Sequence, residues 1–175
     1  MPDRRHLWRG IHDPEMVRSG VMLNVVTDRP RYRPGDQIEA RITLTATGVG
    51  HHFPTYVTPR VVVRAVLVEP GGREAPGTAE ERVIARDVSL DLSRELFDTR
   101  VPAGRQFVLD YRRPVERTGM SLRVHVTVYP DHFYTRFFES LVASGAGRGK
   151  PEIQTALAAT RRSTFELYRR DVPLT

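Results

Sequence analysis

The chain has 175 residues, a length typical of one domain that can build a hydrophobic core without disulfides or metals. It contains no cysteine, which excludes disulfides, thiolate metal sites, cysteine nucleophiles and covalent haem attachment. The net charge is +6, and 26 of the 27 basic residues are arginine because Lys150 is the only lysine. These arginines do not alternate with aromatic residues, so we expect no nucleic-acid partner. No run of about 18 apolar residues exists, so we expect no membrane span.

Residues 1–19 are polar and form a predicted N-terminal arm. Asp13 and Pro14 predict a short helical turn, because aspartate is a favoured N-cap and proline suits the first helical position. The beginning of the chain has no apolar core of the kind found in secretory signal peptides. The few apolar side chains of the arm have no obvious partners within it. We therefore expect the arm to be poorly packed in isolation.

Residues 20–129 have the pattern of an antiparallel sheet protein. Residues 38–46 and 122–129 alternate apolar and polar side chains, which predicts half-buried strands. Residues 60–68 are apolar on both faces, which predicts a central strand. Proline and glycine mark the turns between strands. The predicted strands are 21–26, 38–46, 60–68, 83–88, 107–111 and 122–129.

The C-terminal region, 130–175, departs from this pattern and predicts a helical tail packed on the sheets. We expect helices over 131–143 and 151–169, with Asp131 as a cap and Pro151 in the first turn of the second helix. The fold class predicted for the whole chain is mainly β. We expect an immunoglobulin-like antiparallel β-sandwich with a short N-terminal arm and two C-terminal helices.

The histidines are the candidate functional side chains. His51 and His52 are adjacent in a loop between two predicted strands, and such loops often carry function. One interpretation is that a neutral imidazole here binds a metal or a haem iron. The other is that the pair caps the end of a sheet by hydrogen bonding to the backbone. We expect His125 and His132 to be ordinary surface or packing residues.

The motifs of common enzymes are absent from the sequence. There is no Gly-x-Ser-x-Gly elbow, no His-Glu-x-x-His pair and no phosphate-binding loop. Glu80 and Glu81 are neighbours in a predicted loop, which sets no defined separation for acid–base catalysis. We therefore expect that the chain is not an enzyme by itself.

Three segments resemble the C-terminal part of certain multihaem c-type cytochromes, similar to the cytochrome c-554 group. They are 33–36 (Arg-Pro-Gly-Asp), 50–55 (Gly-His-His-Phe-Pro-Thr) and 128–134 (Val-Tyr-Pro-Asp-His-Phe-Tyr). The start of the chain also resembles the segment directly after the last haem-attachment site of such proteins. Thr47 and Tyr56 depart from the family pattern, in which asparagine and glycine are common at these places.

The resemblance implies a β-sandwich that follows a haem-binding region lying upstream of Met1 or lost from this chain. It implies a non-catalytic accessory domain in electron transfer, which covers haems and donates axial histidines. The candidate ligands are His51, then His12 and His6. The chain would bind no haem covalently; haem c would belong to an upstream region or to a partner cytochrome, and the location would be extracytoplasmic.

Two alternatives remain open. The first is a free-standing immunoglobulin-like module that binds a protein or a carbohydrate. The second is a histidine-metal enzyme, which lacks an obvious carboxylate ligand in the same loop.

Within the histidine pair we expect His51 to be the functional residue. Gly50 before it allows close approach of the backbone to a bulky partner. Pro54 restricts the loop, and successive side chains of an extended segment point to opposite sides. The resemblance selects His51 because it directly follows the glycine.

Overall fold

The computed structural model describes residues 10–145 and 147–174. Helix α1 spans Pro14–Gly20 and leads directly into strand β1, Val21–Thr27. Asp13 caps α1 as predicted, since its carboxylate accepts hydrogen bonds from the amides of Glu15 and Met16 at 3.0 and 3.1 Å. The remaining strands of the sandwich region come after β1 in chain order. They are β2 (Gln37–Ala46), β3 (Arg60–Val68), β4 (Glu80–Val88), β5 (Glu95–Asp98), β6 (Gln106–Pro114) and β7 (Ser121–Tyr129).

The strands form two antiparallel sheets, which confirms the predicted mainly-β sandwich. The smaller sheet has the order β1-β2-β6. The larger sheet has the order β5-β4-β3-β7-β8, where β8 is Phe165–Pro173. Strand β3 lies between β4 and β7, as its apolar sequence predicted, and Val61, Val63, Ala65 and Leu67 are fully buried. The hydrophobic core lies between the two sheets.

The C-terminal prediction is confirmed for the first helix and wrong for the end of the second. Helix α2 spans His132–Ala143, and α3 spans Lys150–Arg162 after a single 3-10 turn. The predicted helix to residue 169 instead ends at Arg162, and the chain then forms β8 on the edge of the larger sheet. In β8 the alternate residues Phe165 and Leu167 face the core, which is the burial pattern of a strand and not the apolar stripe of the predicted helix.

Asp131 is the N-cap residue of α2, as predicted, but its side chain does not cap the helix. Its side chain makes no capping hydrogen bond and instead accepts one from His12. The predicted poor packing of the N-terminal arm is wrong for its described part. Val17 is buried and Ile11 packs against the core, so the described part of the arm packs on the sandwich. No helix in the described residues is long and apolar enough to cross a bilayer.

Candidate functional site

A pocket of about 330 Å³ opens at one end of the sandwich, between α1 and the loop 47–59 that joins β2 to β3. Its walls are mostly apolar; the polar side chains are Ser19 of α1 and those of the loop 47–59, hereafter the histidine loop. Tyr56 lies at this site with 70% of its surface exposed, and Met16 is also exposed. The side chains that form most of the wall are Ile11, Met16, Val17, Val49, His51, Phe53, Thr55 and Tyr56.

The histidine loop is held in place by contacts with the segment before β6. Phe53 forms a two-way bridge with Val101, with amide-to-carbonyl distances of 2.7 and 2.8 Å. Arg100 donates to the carbonyl of Thr55 at 2.9 Å. Arg100 also binds both carboxylate oxygens of Asp98, and these hydrogen bonds lower the pKa of Asp98 and raise that of Arg100. The peptide bond between Phe53 and Pro54 is cis.

His51 lines this pocket with an exposed side chain, and its two ring nitrogens have different contacts. Its Nδ1 lies 2.9 Å from the carbonyl oxygen of His52 and 3.0 Å from the Oγ1 of Thr55, whereas Nε2 lies 3.5 Å from that hydroxyl. A carbonyl can only accept, so the contact with His52 requires the proton on Nδ1. In the neutral imidazole the Nε2 then carries a lone pair. An Nδ1–H bonded to a backbone carbonyl is the usual way in which proteins orient a metal-binding histidine.

The neighbouring His52 is exposed, as His51 is, but its ring has no hydrogen-bond partner among the described residues. Its contribution to the loop is the backbone carbonyl that His51 binds. The two histidines therefore differ in their hydrogen bonds, and the functional preference for His51 stays a prediction.

His12 forms a hydrogen bond with Asp131. Its Nε2 lies 3.0 Å from both carboxylate oxygens of Asp131, which connects the segment before α1 to the beginning of α2. This ion pair leaves only Nδ1 of His12 for a ligand. The structure thus does not bring His12 and His51 together as hydrogen-bonded groups. The third candidate, His6, lies outside the described residues.

Gly48 is the glycine that this loop needs for a close approach within the chain, whereas the predicted role of Gly50 concerns a partner outside the chain and stays a prediction. A Cβ built at Gly50 would meet nothing within 4 Å in the described chain. A Cβ at Gly48 would lie 2.5 Å from the carbonyl oxygen of Ser19. The amides of Thr47 and Gly48 both donate to the carbonyl of Gly20 at 3.0 Å. Gly48 therefore lets the loop pack against the end of α1, and the sequence carried no signal to separate it from Gly50.

The other histidines have local partners. Nδ1 of His125 lies 2.9 Å from a carboxylate oxygen of Glu166 on the outer face of the larger sheet. Nε2 of His132 lies 3.3 Å from Nη1 of Arg60. Among the described residues, no three histidine, aspartate or glutamate side chains form a group that could hold a metal ion.

Comparisons with known proteins identify a fold and no family. No family model matches the sequence, and no curated protein matches it. The chain is similar in structure to a penta-heme cytochrome c552 from Thermochromatium tepidum, with a TM-score of 0.64 and 12% sequence identity. The C-terminal domain of wzt is a weaker neighbour, with a TM-score of 0.36 and 12% identity over 62% of this chain and 60% of that one.

The likeness to the cytochrome covers 94% of this chain and 42% of the cytochrome chain. This chain therefore spans less than half the length of its structural neighbour. At 12% identity the likeness shows a shared fold.

Proposed function

We propose that this chain is a non-catalytic accessory domain of a multihaem c-type cytochrome, and that His51 is an axial ligand to one haem. The observation that carries the proposal is the imidazole of His51, which lines a mostly apolar pocket and is oriented through Nδ1, so that Nε2 has only a 3.5 Å contact with the hydroxyl of Thr55. The likeness in fold to a penta-heme cytochrome supports haem as the cofactor. The proposal includes an extracytoplasmic location, where haem c proteins act in electron transfer.

The residues around His51 fit one part of a haem. The pocket has about 330 Å³ and lies at the small end of the range for ligand pockets, roughly 300–1,000 Å³. It therefore suits the edge or one face of a macrocycle held by another region or a partner cytochrome. The chain has no cysteine to attach a haem covalently. The apolar wall would exclude water, and water exclusion and the axial ligand are two of the factors that set a haem potential.

The same geometry disfavours a catalytic use of the loop. The Nδ1 of His51 and the Oγ1 of Thr55 are 3.0 Å apart, a distance at which a histidine base could activate a hydroxyl nucleophile. The Nδ1 proton, however, is donated to the carbonyl of His52, so this nitrogen has no lone pair with which to accept the hydroxyl proton. A ligand role uses the other nitrogen and needs no change in these hydrogen bonds.

The proposal is tested with a ferric haem c peptide that carries one histidine ligand and one open axial position. Titration of the peptide with this chain should convert its absorption spectrum to that of a low-spin haem with two nitrogen ligands. His51→Ala should weaken this binding by about tenfold or more, because the axial bond is lost. His52→Ala is the matched control and should bind as the wild type does.

Two results would contradict the proposal. One is a wild-type chain that leaves the spectrum of the haem peptide unchanged. The other is an equal loss of binding in both histidine variants, which would indicate unspecific coordination by exposed imidazoles. Either result would favour the alternative of a binding module for a protein or carbohydrate partner.

A further inference from the structure

Strand β1 lies at an edge of the smaller sheet, and it lacks the residues that usually protect an edge strand from pairing with other strands. Within the described residues it pairs with β2 alone. Its seven residues, Val-Met-Leu-Asn-Val-Val-Thr, include no charge and no proline. Proteins usually protect an exposed strand edge with charges, prolines, bulges or shortness, because unpaired backbone groups recruit other strands.

The other three edge strands carry such protection. Strand β5 has only four residues. Strand β6 carries Asp110 and Arg112 and ends at Pro114. Strand β8 carries consecutive charged residues, 169–171, ends at Pro173 and has a register shift opposite β7. Strand β1 is thus the exception among the edges of the two sheets.

The outward backbone groups of β1 are those of its odd-numbered residues. The carbonyl of Gly20 accepts from Thr47 at the β2 side, and alternate residues of a strand point to opposite edges. The carbonyl of Val21 accordingly points away from β2, where it accepts a hydrogen bond from the hydroxyl of Tyr168 at 2.6 Å. The next outward groups along the strand belong to Leu23 and Val25.

Apolar side chains of similar exposure lie on both sides of Asn24 in β1. Met22 and Val26 flank it on the exposed face, with 54% and 55% of their surfaces accessible. Leu23 and Val25 flank it on the inner face, where both are half-buried. A strand with this symmetry is complementary to a second copy of itself in antiparallel orientation.

We infer that β1 is a dimerisation edge, at which two copies of this chain pair through β1 in antiparallel register centred on Asn24. Leu23 of one copy then exchanges two backbone hydrogen bonds with Val25 of the second copy, and the same pair recurs across the two-fold axis. Met22 of each copy packs on Val26 of the other, which covers the two exposed apolar side chains. The two smaller sheets become one six-stranded sheet. This inference is independent of the proposed haem ligand.

The register places the two Asn24 side chains directly opposite each other, in a non-hydrogen-bonded pair where side chains lie closest. Like charges at such a position destabilise strand pairing, whereas opposite charges stabilise it. Asn24→Lys and Asn24→Glu should therefore each raise the dimer dissociation constant by about tenfold or more. An equimolar mixture of the two variants should restore the dimer.

Sedimentation of the full chain over about a hundredfold range of concentration is the test, because the dimer fraction follows mass action. We expect a concentration-dependent dimer for the wild type, monomers for each Asn24 variant alone, and a dimer for their mixture. Val108→Lys, at an exposed position of β6 in the same sheet, is the matched control and should dimerise as the wild type does. Circular dichroism should show all variants folded, since both sites are exposed.

Three outcomes would overturn the inference. The first is a monomeric wild type over the whole range, and the second is an Asn24→Lys variant that dimerises as tightly as the wild type. The third is a mixture of the two charge variants that stays monomeric, which would exclude pairing centred on Asn24.

Discussion

Burial lowers the pKa of His132, the first residue of α2, and the positive charges of Arg60 and Arg136 lower it further. Asp87 and Glu139 act in the opposite direction and do not reverse the shift. The 3.3 Å contact with Nη1 of Arg60 fits a neutral ring whose Nε2 accepts from the guanidinium. The fold therefore favours the uncharged form of His132.

His132 gives the first prediction, a pH dependence of stability. A histidine with a lowered pKa in the folded state stabilises the protein fully above its unfolded pKa, about 6.5, and this contribution is lost as the pH falls through the folded pKa. We expect the free energy of unfolding to decrease from about pH 7 to pH 5. His132→Gln should reduce this dependence, as measured by urea denaturation at each pH. Equal slopes in the variant and the wild type would contradict the assignment.

The requirement for glycine at Gly48 could not be predicted from the sequence. Gly48 and Gly50 flank one valine in a turn, and nothing in their composition tells them apart. The requirement for glycine at Gly48 arises from the carbonyl of Ser19, which comes within 2.5 Å of a built Cβ only once α1 has packed on the loop. A contact between segments so distant along the chain leaves no local signal.

Helix α1 is the element by which the N-terminal arm joins the core. Val17 is its buried side chain, whereas Met16 beside it is largely exposed. Arg18 reaches across to the carbonyl of Leu167 in β8, with its Nη2 at 3.0 Å. The helix therefore connects the smaller sheet to an edge strand of the larger one.

The second prediction concerns this helix. Val17→Ala should lower the free energy of unfolding by about 1–2 kcal/mol, because a buried apolar side chain is truncated. Met16→Ala is the matched control on the same helix and should change stability by less than about 0.5 kcal/mol. Thermal or urea denaturation of both variants measures the difference. An effect of Met16→Ala as large as that of Val17→Ala would contradict the described packing of α1.

The strands with clear period-two alternation were predictable from the sequence, and the end of the chain was not. Residues 38–46 and 122–129 each bury one face of a strand, so the alternation of apolar and polar residues in the sequence matches the alternation of buried and exposed side chains in the fold. Residues 165–169 come shortly after a helix and include charged side chains on an edge. Their strand conformation depends on pairing with β7, a tertiary interaction that a local pattern does not contain.

At the scale of the whole molecule, Tyr111 connects the two layers. It lies in β6 of the smaller sheet, and its hydroxyl donates to the carbonyl of Thr78, just before β4 of the larger sheet, at 2.8 Å. The ring is fully buried. Burial raises the pKa of Tyr111 to about 12.

The third prediction rests on this contact between the layers. Tyr111→Phe should cost about 1 kcal/mol of stability at neutral pH, because the carbonyl of Thr78 loses its donor. A raised tyrosine pKa means that the contribution is complete below the unfolded pKa, about 10, and is lost as the pH rises through about 12. The variant should therefore lose less stability than the wild type over this interval, as measured by urea denaturation. Tyr56→Phe, which alters an exposed ring, should behave as the wild type does.

The site was predictable from the sequence only in part. The adjacency of His51 and His52 in an inter-strand loop was visible in the sequence. The partners of His51 and the apolar pocket were not visible, because the walls come from α1 and the loop together. The ion pair of His12 with Asp131 joins residues 119 positions apart, which no local pattern reveals.

The central claim is that the pocket end of the sandwich faces a haem. Nuclear magnetic resonance of the isotope-labelled chain with the ferric haem c peptide tests it most directly, because the paramagnetic iron broadens only nearby signals. We expect broadening at Val49, Thr55 and Tyr56 around the pocket, unchanged signals at Gly72 and Gly104 in turns outside it, and loss of the broadening in His51→Ala. Broadening that is centred on another surface, or that persists in His51→Ala, would contradict the claim.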